Sequence, residues 1–182
     1  MKQNKYDNPA FFSAYEQMPR SVKGLEGAGE WHILKELLPK LKGKEVLDLG
    51  CGFGWHCRYA REQQASSVVG VDISENMIQR AQEITSDSFI SYVKAPIEDF
   101  AFPESQYDVV ISSLAFHYIE SFKSICEKVY HSLRPGGALF FLLSIPFLRH
   151  GKNKIGTMTN TIIVCIGQWI IIKKKEFVMH YF

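Results

Sequence analysis

The sequence predicts an α/β domain built on a doubly wound, mostly parallel sheet, and three observations predict it. Short β-branched segments that are apolar throughout recur along the chain, the pattern of strands buried on both faces. Segments of helical periodicity separate them, and right-handed crossovers then wind helices onto both sides of the sheet. A glycine-rich turn follows the first strand, where such sheets bind their ligands.

Asn8 to Met18 reads as a short helix ending near Pro19, and Gly24 to Gly29 as a loop. Glu30 to Leu38 places Trp31, Leu34, Leu37 and Leu38 on one helical face, with Pro39 closing it. The alternation then begins. Lys44 to Leu49 is a strand, GCGFG a turn, and Trp55 to Gln64 a helix. Ser67 to Asp72 is the second strand, and Ser74 caps a helix from Glu75 to about Thr85. Phe89 to Lys94 and Tyr107 to Ser113 are the third and fourth strands, and a helix runs from about Ser121 to Leu133. Pro135-Gly136-Gly137 is a turn before a fifth strand, Ala138 to Leu143.

The 182 residues suffice for one domain with a real core. With 46% apolar and 22% charged residues the chain reads as soluble and globular, and a net charge of +2 argues against a nucleic-acid binder. The first twenty residues lack an apolar core of signal-peptide length, which predicts an intracellular, cytoplasmic protein. Cys51, Cys57, Cys126 and Cys165 form no CxxC pair and no metal-ligand spacing, so free thiols and no metal are expected. The longest apolar run, Ile162 to Ile172, is too short to span a membrane and is interrupted by Gly167 and Gln168.

The candidate site begins with Asp48-Leu49-Gly50-Cys51-Gly52-Phe53-Gly54. Its glycines let the backbone turn sharply and approach a ligand. Asp72 ends the next strand, where a carboxylate can accept both hydroxyls of a ribose. Together they favour an adenosine ligand, either a dinucleotide or S-adenosylmethionine. The dinucleotide fingerprint is GxGxxG with a helix N-terminus open to pyrophosphate. This loop is GxGxG, and Asp48 ahead of it would repel a pyrophosphate while suiting an ammonium and a sulfonium. Charge therefore prefers a methyltransferase over a nicotinamide-dependent oxidoreductase.

VLDLGCGFG, VVGVDIS with Met77, the stretch APIEDFAFPESQYDVVISSLAFHYI, and LRPGGALFF resemble, in order, the motifs of class I S-adenosylmethionine-dependent methyltransferases of the small-molecule, type 11-like kind. The resemblance runs from about residue 30 to residue 143, with a lead-in from Tyr6. It implies a Rossmann-like fold, S-adenosyl-L-methionine as cofactor and a small-molecule acceptor. It also implies that Asp48, Gly50, Cys51, Gly52 and Gly54 hold the methionine end and that Asp72 binds the ribose. Ile73 and Met77 would pack on adenine, the Ile97 N–H would face the adenine edge with Glu98 nearby, and Ser112 to Leu114 would border the sulfonium. Many relatives carry an aspartate where Pro96 stands, so adenine recognition here falls to Glu98 or to backbone. Methyl transfer is an in-line displacement that needs alignment more than a dedicated catalytic residue. His117 and Tyr118 are the candidates for a general base or for packing. Trp55 and His56 read as structural, and Arg20 as a solvated surface arginine. An RNA methyltransferase is disfavoured by the net charge of −3 over residues 1–146, and SSLA stands where amino-directed nucleic-acid methyltransferases carry their tetrapeptide.

The chain divides into a lead-in over residues 1–29, a core over 30–146, and an Ile/Lys-rich tail over 147–182. The tail carries six basic residues (Arg149, Lys152, Lys154, Lys173, Lys174 and Lys175) against Glu176 alone. Family members continue here with a helix and two antiparallel strands, so those strands are expected to be missing or replaced. Back-translating Asn153 to Ile172 and shifting the frame by one base gives a reading in which QDWYYD followed by HWPVD resembles the segment after the fifth strand in relatives. The tail is accordingly read as out of frame, and an inactive or cofactor-binding-only product is the alternative function. Losing the last strands would leave an apolar edge that the Ile162 to Ile172 run could cover as an improvised strand.

Overall fold

The computed structural model describes residues 4–147, 157–166 and 169–174, and beyond residue 143 its backbone alone. Strands β1 (Glu45–Leu49), β2 (Ser67–Asp72), β3 (Ile90–Lys94), β4 (Tyr107–Ser113) and β5 (Leu133–Phe147) pair in the order β3-β2-β1-β4-β5, all parallel. Helices α1 (Pro9–Glu16), α2 (Pro19–Val22) and α3 (Trp31–Leu37) precede β1. The crossovers are α4 (Trp55–Glu62), α5 (Glu75–Glu83) and α6 (Phe122–Ser132).

The doubly apolar strands face two cores. Val46, Val109, Ile111, Phe140 and Leu142 join Trp31, Leu34, Cys57 and Ala60 on one side of the sheet. Leu47, Leu49, Val110, Leu139 and Phe141 join Ile125 and Val129 on the other. Neighbours along one strand thus go to opposite cores, which is why no polar alternation shows in the sequence. Each such side chain contributes about 1.5–3 kcal/mol when fully buried. The helices start where capping chemistry allows. Asn8 Oδ1 accepts from the Ala10 and Phe11 N–H groups at 3.1 Å, and Ser74 Oγ accepts from Met77 N–H at 3.2 Å.

One expectation changes. The PGG turn lies within β5, which starts at Leu133 rather than Ala138. The register moves from Tyr107↔Leu133 to Val109↔Ala138, so the extra residues bulge outward at Gly136, whose φ is +82°. The edge of β5 is also covered. β6 (Thr157–Ile166) pairs antiparallel with it from Ala138↔Ile166 to Phe147↔Thr157, and β7 (Trp169–Lys174) pairs antiparallel with β6. The apolar run therefore supplies strands, although Gly167, Gln168, Arg149, Lys152, Lys154 and Lys175 lie outside the described residues. No helix among the described residues is long and apolar enough to cross a membrane.

Candidate functional site

The cleft opens at the carboxyl ends of the strands, beside β1, where connections leave in both directions toward β2 and β4. Its cavity volume is about 110 Å³, and it opens to solvent at its mouth.

The glycine loop is bent against the end of β2. Gly50 and Cys51 both donate to the Val71 carbonyl, at 2.8 and 3.0 Å, and Gly52 N–H donates to Asp72 Oδ2 at 2.9 Å. Two glycines have no substitute. Gly50 lies at φ +78°, and a Cβ there would overlap the Ala115 methyl. Gly54, left-handed at φ +71°, begins α4, and a Cβ there would overlap the Tyr92 hydroxyl.

Asp72 is almost completely buried, and its other oxygen accepts from Ser74 N–H at 2.9 Å. Burial raises its carboxyl above the ordinary carboxylate range, and the backbone N–H groups only partly oppose this. Both oxygens keep lone pairs for further donors.

Asp48 shares the sheet face of Val46 and is fully buried. Its Oδ2 accepts from the Cys57 thiol at 3.4 Å, and its Oδ1 has no partner. Burial pushes its carboxyl up to about 7, with the Cys57 hydrogen bond opposing and Asp72 adding. His56 Nδ1 lies 3.9 Å from Asp48 Oδ2. Burial pulls that imidazole down to about 4, so it is neutral at physiological pH and forms no ion pair. A buried acid with an orphan oxygen and no cation beside it suits an ammonium ligand and opposes a phosphate.

Of the residues singled out in the sequence, Gly50, Gly52, Asp72, Ile73, Met77, Ile97, Glu98, Leu114 and Tyr118 line one continuous cleft. Cys51 lines an adjoining recess with Trp55 and His56. Asp48 and Gly54 line neither the cleft nor the recess. Ser112 is buried and donates its hydroxyl to the Leu49 carbonyl at 2.9 Å, so Ser113, next in the strand, reaches the cleft instead. His117 is exposed, its ring tilted 4.1 Å from that of Tyr118, and it does not line the cleft. Leu114 adopts a left-handed φ of +58°, which costs a bulky residue about 1–2 kcal/mol and turns the chain along the cleft wall.

Arg20 overturns the reading of a solvated arginine. It is partly buried, lines the cleft and pairs with the buried Glu30. Tyr6, Tyr15, Ala115 and Ile119 also line it and were missed. The signal for the tyrosines was the aromatic density of the lead-in, with Tyr6, Phe11, Phe12 and Tyr15 inside ten residues. Tyr6 meets Tyr15 edge-on at 5.3 Å, and Tyr15 meets Phe53 of the glycine loop at 5.6 Å. Burial, the neighbouring Tyr118 hydroxyl, and then Tyr15 and Asp72 raise the Tyr6 phenol above its ordinary range, so it stays protonated.

Residues 47–141, more than half of the chain, match the model of a methyltransferase domain family. An uncharacterized protein of Haemophilus influenzae is 38% identical over 142 residues, covering 75% of this chain and 56% of that protein. A malonyl-[acyl-carrier protein] O-methyltransferase of Enterobacter lignolyticus is 35% identical over 122 residues, covering 65% of this chain and 47% of that enzyme. The chain thus spans about half the length of these relatives. The crystal structure of an S-adenosylmethionine-dependent methyltransferase from Mesorhizobium loti superposes with a TM-score of 0.68 at 38% identity, covering 74% of this chain and 65% of that one. Fold, cleft and relatives agree, and the chain belongs to the family of S-adenosylmethionine-dependent methyltransferase domains.

Proposed function

We propose that the chain transfers the methyl group of S-adenosylmethionine to a small-molecule acceptor by in-line displacement, in the cytoplasm. The observation that carries this reading is the pair of buried acids, Asp48 and Asp72, flanking a glycine loop, with neither paired to a lysine or arginine among the described residues. When bound, the cofactor supplies the activated methyl and its own leaving group.

The chain's residues then bind, orient and exclude water. Asp72 accepts the ribose hydroxyls. Ile73, Met77, Pro96 and Ile97 sandwich the adenine, with Glu98 at its edge. Gly50 and Gly52 let the backbone approach the methionine end, and Cys51 and Gly54 keep the loop's shape. The unpartnered Asp48 Oδ1 draws the ammonium toward the recess, while Arg20 takes the carboxylate. Leu114 and Ser113 border the sulfonium. Tyr118, inside the cleft, is a better placed proton acceptor or positioning group than the exposed His117. Residues 30–146 form the catalytic core, residues 1–29 cover it, and the tail supplies strands.

A second reading has its own support. The tail composition, six basic residues against Glu176 alone, fits a cofactor-binding product without a complete acceptor site. Titration calorimetry with S-adenosylmethionine and, separately, NADH tests the site. Binding of the first alone is expected, and binding of NADH alone would overturn the assignment. Once binding is established, turnover in an acceptor screen separates the enzyme from the cofactor-only product.

A further inference from the structure

Asp7 lies outside the cleft, is exposed, and makes a concentrated set of contacts with another part of the chain. Its Oδ1 accepts from the Ser74 hydroxyl and from Asn76 N–H at 3.2 Å. Its Oδ2 accepts from Glu75 N–H at 3.4 Å and from Asn4 Nδ2 at 2.6 Å. The link is doubled by Asn76 Nδ2, which donates to the Tyr6 carbonyl at 3.2 Å. A carboxylate over the first turn of α5 is favoured both by the free N–H groups and by the helix dipole. The next residue, Asn8, caps α1. Two consecutive side chains therefore hold two helix starts against each other.

The two parts so joined both belong to the cleft. On one side stands Tyr6, a cleft residue whose ring leads through Tyr15 to the glycine loop. On the other stands the turn Asp72-Ile73-Ser74, whose first two residues also line the cleft. We propose that Asp7 is a positioning residue that latches the N-terminal cover (Tyr6 to Arg20) onto this turn and thereby sets how long the cofactor stays bound. The proposal rests on the reading of the cleft as the S-adenosylmethionine site. Opening the cover breaks the Asp7 contacts without disturbing the sheet, so the latch acts on release more than on capture. The aromatic contacts and the Arg20–Glu30 pair remain when Asp7 is removed, so the cover loosens rather than detaches.

The experiment follows dissociation of S-adenosylhomocysteine from the full chain, chased by excess ligand, in wild type, Asp7→Ala and Asp7→Asn. Asp7→Ala is expected to release the ligand about tenfold faster, with the association rate within twofold and the melting temperature little changed. Asp7→Asn keeps an acceptor oxygen for Ser74 and Asn76 and is expected to restore most of the retention. A second readout needs no ligand: tryptic cleavage after Arg20 should be faster in Asp7→Ala than in wild type. Unchanged release in Asp7→Ala, or no rescue by Asp7→Asn, overturns the latch. So does a loss shared equally by both rates together with a lower melting temperature. If wild type binds no S-adenosylhomocysteine, the cofactor reading itself falls, and the retention role with it. The tryptic comparison then still decides whether Asp7 holds the cover.

Discussion

The two ends of the sheet treat their acids in opposite ways. At the amino ends, Asp108 accepts from Glu45 N–H at 2.8 Å, from Arg134 at 3.1 Å and from Lys44 at 3.3 Å. Burial would raise its carboxyl, but these partners outweigh it and hold the carboxyl below the ordinary range. Arg134 also pairs with Glu45 at 3.1 Å, closing a network. At the carboxyl ends, Asp48 and Asp72 are more deeply buried, have no lysine or arginine partner among the described residues, and are raised. One end is arranged for its own stability. The other holds unfavourable charge that a cationic, hydroxyl-bearing ligand would relieve, which is how functional sites commonly differ from scaffolds.

The largest expected effect breaks the ligand end. Asp72→Ala removes two charge-assisted hydrogen bonds of roughly 1.5–3 kcal/mol each. Calorimetry should show S-adenosylmethionine affinity falling about 100-fold or more, and the melting temperature should fall modestly because the Gly52 and Ser74 N–H groups lose their acceptor. Retained affinity would place the ribose elsewhere.

Gly50→Ala comes next. It forces a methyl into Ala115 at a left-handed φ and should cost about 1–3 kcal/mol in urea unfolding. Adding Ala115→Gly should recover the part due to overlap and leave the part due to backbone strain. No recovery would mean that the loops after β1 and β4 do not pack as described.

Asp48→Asn sharpens the comparison through pH. The folded chain keeps a proton on Asp48 that the unfolded chain has released, so stability falls as pH rises from about 4 to about 7 and is flat above. Holding the ionised carboxyl there costs on the order of 4 kcal/mol, of which an imperfectly bonded amide restores about half. Asp48→Asn should therefore be more stable than wild type at pH 8, by roughly 2 kcal/mol, and lose that advantage near pH 4. Its cofactor affinity should drop. A variant no more stable at pH 8 would contradict the burial argument.

Asp108→Asn is the smallest effect and the opposite one. The lowered carboxyl contributes stability above its ordinary range, and that contribution is lost as pH falls through the depressed value. The variant should lose about 1 kcal/mol at pH 7, since the pairs are partly exposed, and converge with wild type in acid. Cofactor binding should not change.

The scaffold was legible because its cause is local. Strands such as Ser67–Asp72 and Tyr107–Ser113 carry apolar residues toward both cores, and Ser74 announces the helix after it. The placement of the glycine loop and Asp72 beside each other at the strand ends was legible for the same reason, since it depends on position within one crossover. The cover was not. Arg20 looks like a surface residue until Glu30 folds beside it, and Tyr6 sits at the cleft through contacts with Tyr15 and with Asn76 far along the chain. Ser112 and Ser113 could not be told apart without the register of β4. The PGG segment was read as a turn because its residues favour one, yet pairing with β4 absorbs it as a bulge.

The ladder between β5 and β6 has a bearing on how such a domain can change. Its hydrogen bonds join main-chain groups, which every residue except proline carries in the same form. An edge of this kind selects for extended backbone and only weakly for particular side chains. The outer strands can therefore be exchanged or rewritten in descent while the five parallel strands, and the cleft at their ends, stay in place. That margin accepts new text without asking the core to be rewritten.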